Sequence, residues 1–350
     1  MSINHAKDAR LCSTDNPCKE GIVRIAPLVA IPTLLSEHGC DPDTLFRQAG
    51  LSLELWKDPD TEISFIAASR LLEVSATATG CDHFGLLLGE RVEIASIGLP
   101  GLLLGCAPDP GIAIETLRDH LNLHDSGGLV TFETVDEIAR FGYAILQPGT
   151  RAIDQIYDLS IAVACKIMRG LCGIQWSPTQ VSLSRKRPGD IRPYTHFFQA
   201  PVEFGAAANN FEFPASWLNH PNASANPHLF RYLSECVVEL QARHHTTFIS
   251  NLQRIMLNAI FHQRCSVEYV AGMLGMHQRT LNRRLGEIKT SFRQELEKLR
   301  FELARQLLAN QQLSINEIAS FLDYSDQAAF SRAFKRWSGV SPSDWRIGNS

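Results

Sequence analysis

Apolar residues recur along this chain with two different periods, and the changes of period mark out its elements. Residues 1–20 are polar and without period, the pattern of a flexible tail. From Gly21 onward, Val23, Ile25, Leu28, Val29, Ile31, Leu34 and Leu35 form a helix-like stripe, and Phe65, Ala68, Leu71, Leu72, Val74 and Ala76 form another. Residues 45–49 with Gly50 behind them predict a short helix with a glycine stop. Strict alternation then takes over in 129–135 and 138–146, separated only by Asp136 and Glu137, which predicts a β-hairpin. A long apolar-faced helix is predicted over 151–171, carrying Ile156, Leu159, Ile161, Ala162, Ile167 and Met168. A strand over 181–183, a helix over 194–198 and extended pieces at 202–204 and 211–213 follow, punctuated by prolines 178, 188, 193, 201 and 214.

Turn-forming residues cluster at 221–227, and beyond them the pattern is helical throughout. The fold class expected is therefore multidomain. It combines a flexible tail (1–20), a mixed α/β domain (21–225), a linker helix (226–247) and an all-α domain (248–350).

The all-α part contains an internal repeat. Val267, Val270, Ala271 and Leu274 occupy i, i+3, i+4 and i+7, and Ile315, Ile318, Ala319 and Leu322 repeat that spacing 48 residues later. A turn follows each (Gly275-Met276 and Asp323-Tyr324), then a second helix with Leu281 and Leu285 or Phe330 and Phe334 as its apolar stripe. Two helices joined by a tight turn are a helix-turn-helix, here twice, at about 266–286 and 314–337. Ser314 with Glu317 predicts a capping box, Ser266 and Ser325 predict helix caps, and Ser341-Pro342 predicts the start of a last helix. Between the copies, Phe292, Leu296, Leu299, Leu303 and Leu307 predict one long joining helix, so that a single chain could bridge two adjacent major grooves.

The inward stripes leave Arg279, Asn282 and Arg283 outward in the first copy and Gln327, Ala328, Ser331 and Arg332 outward in the second. Arg pairs bidentately with guanine and Asn with adenine, so these seven are the expected base-reading residues. Arg284, Lys289, Lys335 and Arg336 are placed for phosphates. An Arg- and Asn-bearing helix face is ordinarily just solvated. Charge adds weight to the other reading: residues 251–350 hold 14 Lys and Arg against 9 Asp and Glu, whereas the whole chain carries −4.

Composition closes off other classes. With 350 residues, 45% hydrophobic and 20% charged, the chain has material for real cores and no mark of disorder. The charge-free run at 95–107 holds three glycines and a proline and falls short of the ~20 residues that cross a bilayer. The first twenty residues lack the apolar region of a secretory signal, so a cytoplasmic location is expected. Nine scattered cysteines without a C-x-x-C pair argue against disulfides and zinc. No G-x-S-x-G, G-x-G-x-x-G, Walker loop or H-E-x-x-H is present, so no enzyme and no cofactor are expected. His120 and His124, at i and i+4, could place two metal ligands on one helix face, but no third ligand is evident, which leaves a metal-dependent enzyme as a remote alternative.

The stretches Val270-Ala-Gly-Met-Leu-Gly-Met-His-Gln-Arg-Thr-Leu-Asn-Arg-Arg-Leu285 and Glu317-Ile-Ala-Ser-Phe-Leu-Asp-Tyr-Ser-Asp-Gln-Ala-Ala-Phe-Ser-Arg-Ala-Phe-Lys-Arg-Trp-Ser-Gly-Val-Ser-Pro-Ser-Asp-Trp-Arg346 resemble the DNA-binding domain of the AraC/XylS regulators. The resemblance covers roughly 250–347 and implies base readout by the seven residues above. Asp323 replaces the family's usual turn glycine, and His277 its usual serine cap, which predicts a weaker helix start. Arg70-Leu-Leu-Glu73, His83-Phe-Gly-Leu-Leu-Leu-Gly89, Leu121-Asn-Leu-His124 and 193–205 resemble the effector-binding and dimerisation domain of a subgroup that includes regulators of ornithine use. That resemblance implies a homodimer, double-stranded DNA and RNA polymerase as partners, and a small-molecule effector. His124, Tyr194 and His196 are weak candidates to touch the effector, against an ordinary structural role for each. The expected function is a metabolite-gated transcription activator, and the alternative is a ligand-independent dimeric DNA-binding factor.

Overall fold

The computed structural model describes residues 21–147, 149–243, 248–261, 264–309 and 313–348; the flexible tail expected at 1–20 lies outside them. Among the described residues the first element is β1 (Ile22–Arg24) rather than the helix that Val23 and Ile25 suggest. The cause is non-local. Val23 pairs with Ile63 of β2 (Glu62–Ser64), and the Arg24 amide donates to the His124 carbonyl at 3.0 Å, partners that no local periodicity reveals. The helical stripe begins only at α1 (Ile31–Glu37).

Next comes α2 (Pro42–Ala49), capped by Asp41, which accepts from the Thr44 amide at 3.2 Å. It stops at Gly50, whose φ of 78° is the left-handed geometry that glycine adopts freely. The helices α3 (Phe65–Thr79), α4 (Phe84–Arg91), α5 (Leu99–Gly105) and α6 (Pro110–His120) lead into the expected hairpin, β3 (Gly128–Val135) and β4 (Ile138–Ile145). Asp136 and Glu137 form its two-residue turn with φ of 48° and 66°, the left-handed pair that suits strand twist.

The long α7 (Ile153–Cys172) supplies the core of the α/β half, burying Ile156, Leu159, Ile161, Ala162, Ile167 and Met168. It lies so close to α4 that a Cβ on Gly85 would stand 2.0 Å from the Gln155 carbonyl oxygen. This contact is the physical content of the glycine-containing segment at 83–89. β5 (Gln180–Leu183), α8 (Arg192–Phe198), β6 (Val202–Phe204) and β7 (Asn210–Pro214) complete a five-stranded sheet of order β3-β4-β7-β5-β6, antiparallel except between β5 and β6.

α9 (Pro227–Arg243) rests on α5, with Val237 buried among Leu103 and Cys106. Beyond it come α10 (Phe248–Phe261), α11 (Val267–Met273), α12 (Gln278–Glu287), α13 (Phe292–Ala309), α14 (Ile315–Phe321), α15 (Gln327–Ser338) and α16 (Pro342–Gly348). A mixed α/β part thus precedes an all-helical one, as the fold class expected. The second core joins Leu299, Leu303, Leu307 and Leu308 of α13 to the stripes of both repeats. It also takes in Leu129 of β3 and Ala144 of β4, so the hairpin packs on the helical part with one face and on its own domain with the other.

Candidate nucleic-acid interface

Both copies of the repeat place their helices by local rules. In the first, Ser266 accepts from the Tyr269 amide at 3.1 Å and starts α11. Gly275, at φ 64°, turns the chain, and α12 begins at His277. The imidazole there does cap: its Nδ1 accepts from the Arg279 amide at 3.3 Å. Leu281 and Leu285 are fully buried, and Arg279, Asn282, Arg283 and Arg284 are exposed. Arg283 pairs with Glu287 at 2.7 Å on the surface, an interaction cheap to exchange for a DNA contact. The Arg284 guanidinium lies 5.7 Å from the Phe248 ring centroid, and Lys289, at φ 57°, is exposed just past the helix.

In the second copy the capping box is present, with the Glu317 amide donating to Ser314 Oγ at 3.1 Å and the Ser314 amide to Glu317 at 2.7 Å. Asp323 stands in the turn at φ 60° and is held there by Arg300, which donates to its carbonyl oxygen at 3.0 Å and carboxylate at 3.2 Å. The cap of α15 is Asp326, accepting from the Ala329 amide at 2.6 Å, and not Ser325. Its charged carboxylate also favours the positive end of the helix, which explains the preference. Phe330 and Phe334 are fully buried. Gln327, Ala328, Arg332, Lys335 and Arg336 are exposed, while Ser331 is half-buried. Arg336 ties α15 to α13 through Glu297 at 2.8 Å.

The joining helix has 18 residues, about 27 Å at ~1.5 Å each. It packs against α10, α14, α15 and α16, so a single rod organises both units. Phe301 on it meets Phe334, Trp337 and Trp345 at ring-centroid distances of 5.6, 5.9 and 6.4 Å.

The three residues weighed for an effector separate in space. Tyr194 is buried, and its hydroxyl donates to Asp158 at 2.6 Å beside Arg185. His196 is exposed, near Glu90, Lys166 and Arg169 in a shallow surface hollow. His124 lines a largely apolar cavity between α3, α7 and the hairpin. It does not share a helix face with His120, because α6 ends at His120 and a tight turn, Leu121–Leu123, intervenes. Among the described residues no group of three or more His, Cys, Asp or Glu is gathered for a metal, and no helix is long and apolar enough to cross a membrane.

Two helix-turn-helix units on one joining helix, carried behind a mixed α/β domain, define a DNA-binding transcription regulator and not an enzyme. The chain belongs to the AraC family: residues 39–222 match the arabinose-binding N-terminal domain of AraC transcription regulators, and residues 270–347 match a helix-turn-helix domain. It is 37% identical over 297 residues to the HTH-type transcriptional regulator Rv1395 of Mycobacterium tuberculosis, covering 82% of this chain and 86% of that one. It is 27% identical over 327 residues to the HTH-type transcriptional regulator VirS of the same species, covering 93% and 96%. To the ornithine utilization regulator of Pseudomonas aeruginosa it is 26% identical over 336 residues, again covering 93% and 96%.

Proposed function

We propose that this regulator is a homodimeric transcription activator whose DNA presentation is set by a small metabolite bound in residues 21–225. Residues 226–247 act as the linker and residues 248–350 as the DNA-binding domain. Arg279, Asn282 and Arg283 read one major groove and Gln327, Ala328, Ser331 and Arg332 the next. Arg284, Lys289, Lys335 and Arg336 hold phosphates and fix the register. Contact with RNA polymerase then follows from where the protein sits on a promoter.

The observation that carries the gated reading is the shared hairpin. Leu129 and Ala144 belong to the DNA-binding core, whereas Val130, Phe141 and Tyr143 on the same strands line the apolar cavity. Side chains alternate across a strand, so any shift of the hairpin is felt on both faces. A ligand that favours one placement of the hairpin thereby biases the two-state equilibrium of the domains. The test is to select genomic fragments with the full-length protein and footprint the best one with and without metabolites of the neighbouring genes. A metabolite-dependent change in protection or affinity supports gating. Indifference of DNA binding to every compound that binds would instead leave a ligand-independent dimeric factor.

A further inference from the structure

The cavity beside the hairpin has a volume of about 110 Å³ and is walled almost wholly by carbon. Apolar cavities of ~150 Å³ take up benzene, so this one suits about one six-membered ring or a short branched chain. Its walls include Leu72, Leu117, Phe141, Ile156 and Ile167 and contain neither Lys nor Arg. Asp125, its chain neighbour His124 and Tyr143 form one polar cluster on this wall, and Ser69 and Ser160 are its other polar residues. Asp125 accepts from the Tyr143 hydroxyl at 2.5 Å and from the Gly127 amide at 2.8 Å, so its oxygens are engaged. His124, 7% exposed, has no hydrogen-bond partner for its Nδ1. Leaving a buried polar atom unpaired costs free energy, and a ligand hydroxyl would remove that cost. A carboxylate-bearing ligand would instead face Asp125, and Arg24, the cation whose charge is felt at His124, lies outside the lining and is already paired with Asp60.

We propose that this cavity is the effector site and that its ligand is a neutral, ring-sized apolar molecule whose single hydroxyl hydrogen-bonds Nδ1 of His124. The proposal rests on the effector-gated reading and gives it a place and a chemical class. A route outward is built in: the Tyr143 and Tyr157 rings meet edge to face at 6.3 Å, and the Tyr157 hydroxyl lies 3.3 Å from Gln306 Oε1 on the joining helix. Gln306 also donates to the Ile145 carbonyl at 3.4 Å, closing a link between the cavity wall and the rod that carries both reading units.

The probes are 4-fluorophenol, fluorobenzene and 4-fluorobenzoate, titrated into full-length protein and followed by fluorine NMR. 4-Fluorophenol is expected to bind about five-fold tighter than fluorobenzene, the fold-change of one net hydrogen bond, and 4-fluorobenzoate more weakly than either. His124→Leu should bring 4-fluorophenol down to the fluorobenzene level while leaving fluorobenzene binding in place. Ala164→Leu on α7 and Ala68→Leu on α3 each fill the cavity from a different helix, and whichever of them retains the wild-type circular dichroism should lose all three probes. Tighter binding of 4-fluorobenzoate, no binding of any probe at millimolar concentration, or undiminished binding to a folded filled variant would overturn the assignment. Footprinting separates the two claims. A metabolite that alters protection equally in wild type and in a filled variant keeps gating and refutes this site. Probe binding as expected, with no compound altering protection, keeps the site and refutes gating.

Discussion

Replacing Asp125 by Asn probes the polar cluster on the cavity wall quantitatively. The carboxyl is 6% exposed and accepts two hydrogen bonds, yet burial outweighs them and pushes its pKa from the ordinary 3.8 to about 6. Between those values the folded chain holds a proton that the unfolded chain has lost. The stability this group contributes is therefore full below about pH 4, falls as pH rises towards about 6, and stays low above that. A little over two pKa units at about 1.4 kcal/mol each place the loss at about 3 kcal/mol. Asn has the shape of the neutral carboxyl and no titration. Its Oδ1 accepts from Gly127 as before, and its amide donates to the Tyr143 oxygen. Asp125→Asn should match wild type at acid pH and exceed it by up to about 3 kcal/mol at neutral pH. Urea unfolding of both proteins across that range, followed by tryptophan fluorescence, reads the difference directly. Parallel pH slopes, or a variant less stable at neutral pH, would refute the reasoning, because either means that the hydrogen bonds to the carboxylate outweigh its burial.

Other expectations concern the DNA-binding half. Arg332→Ala should cost about 1–3 kcal/mol on the specific site and little on random DNA, whereas Lys335→Ala should weaken both alike and flatten the salt dependence by about one unit; competition binding on the two DNAs at several salt concentrations distinguishes them. Phe334→Ala removes a fully buried ring that packs 5.6 Å from Phe301 and 5.7 Å from Trp345, and calorimetry should show the loss of about 3–5 kcal/mol. Ser314→Ala breaks the capping box and should cost about 1 kcal/mol, seen as faster amide exchange in the first turn of α14 with little change elsewhere.

Local rules explain which elements were legible in the sequence. The repeat could be read because each unit is defined by contacts between residues a few positions apart: Ser314 with Glu317, Leu281 with Leu285, Phe330 with Phe334. The hairpin was equally plain, since β4 keeps Ala139, Phe141, Tyr143 and Ile145 buried on one face and the two-residue turn at Asp136-Glu137 fixes how β3 pairs with it. Features set by distant partners were not. Val23 is drawn into a strand by Ile63 forty residues away, and α4 and α5 are apolar on so many sides that period is masked. The choice between Ser325 and Asp326 as cap depends on a one-residue difference in where the turn closes. The cavity could not be read at all, because its wall comes from α3, α7, the hairpin and the turn at Leu121–Leu123, and His124 gains its meaning only when they meet.

In the proposed function one chain reads two successive major grooves through its duplicated unit. Hydroxyl-radical footprinting of full-length protein on its best genomic fragment, alongside Arg283→Ala and Arg332→Ala, tests it most directly. The expected result is two protected stretches per protomer, one helical turn (about 10.5 base pairs) apart, with each variant weakening a different stretch. A single protected groove, or two variants that weaken the same stretch, would contradict it.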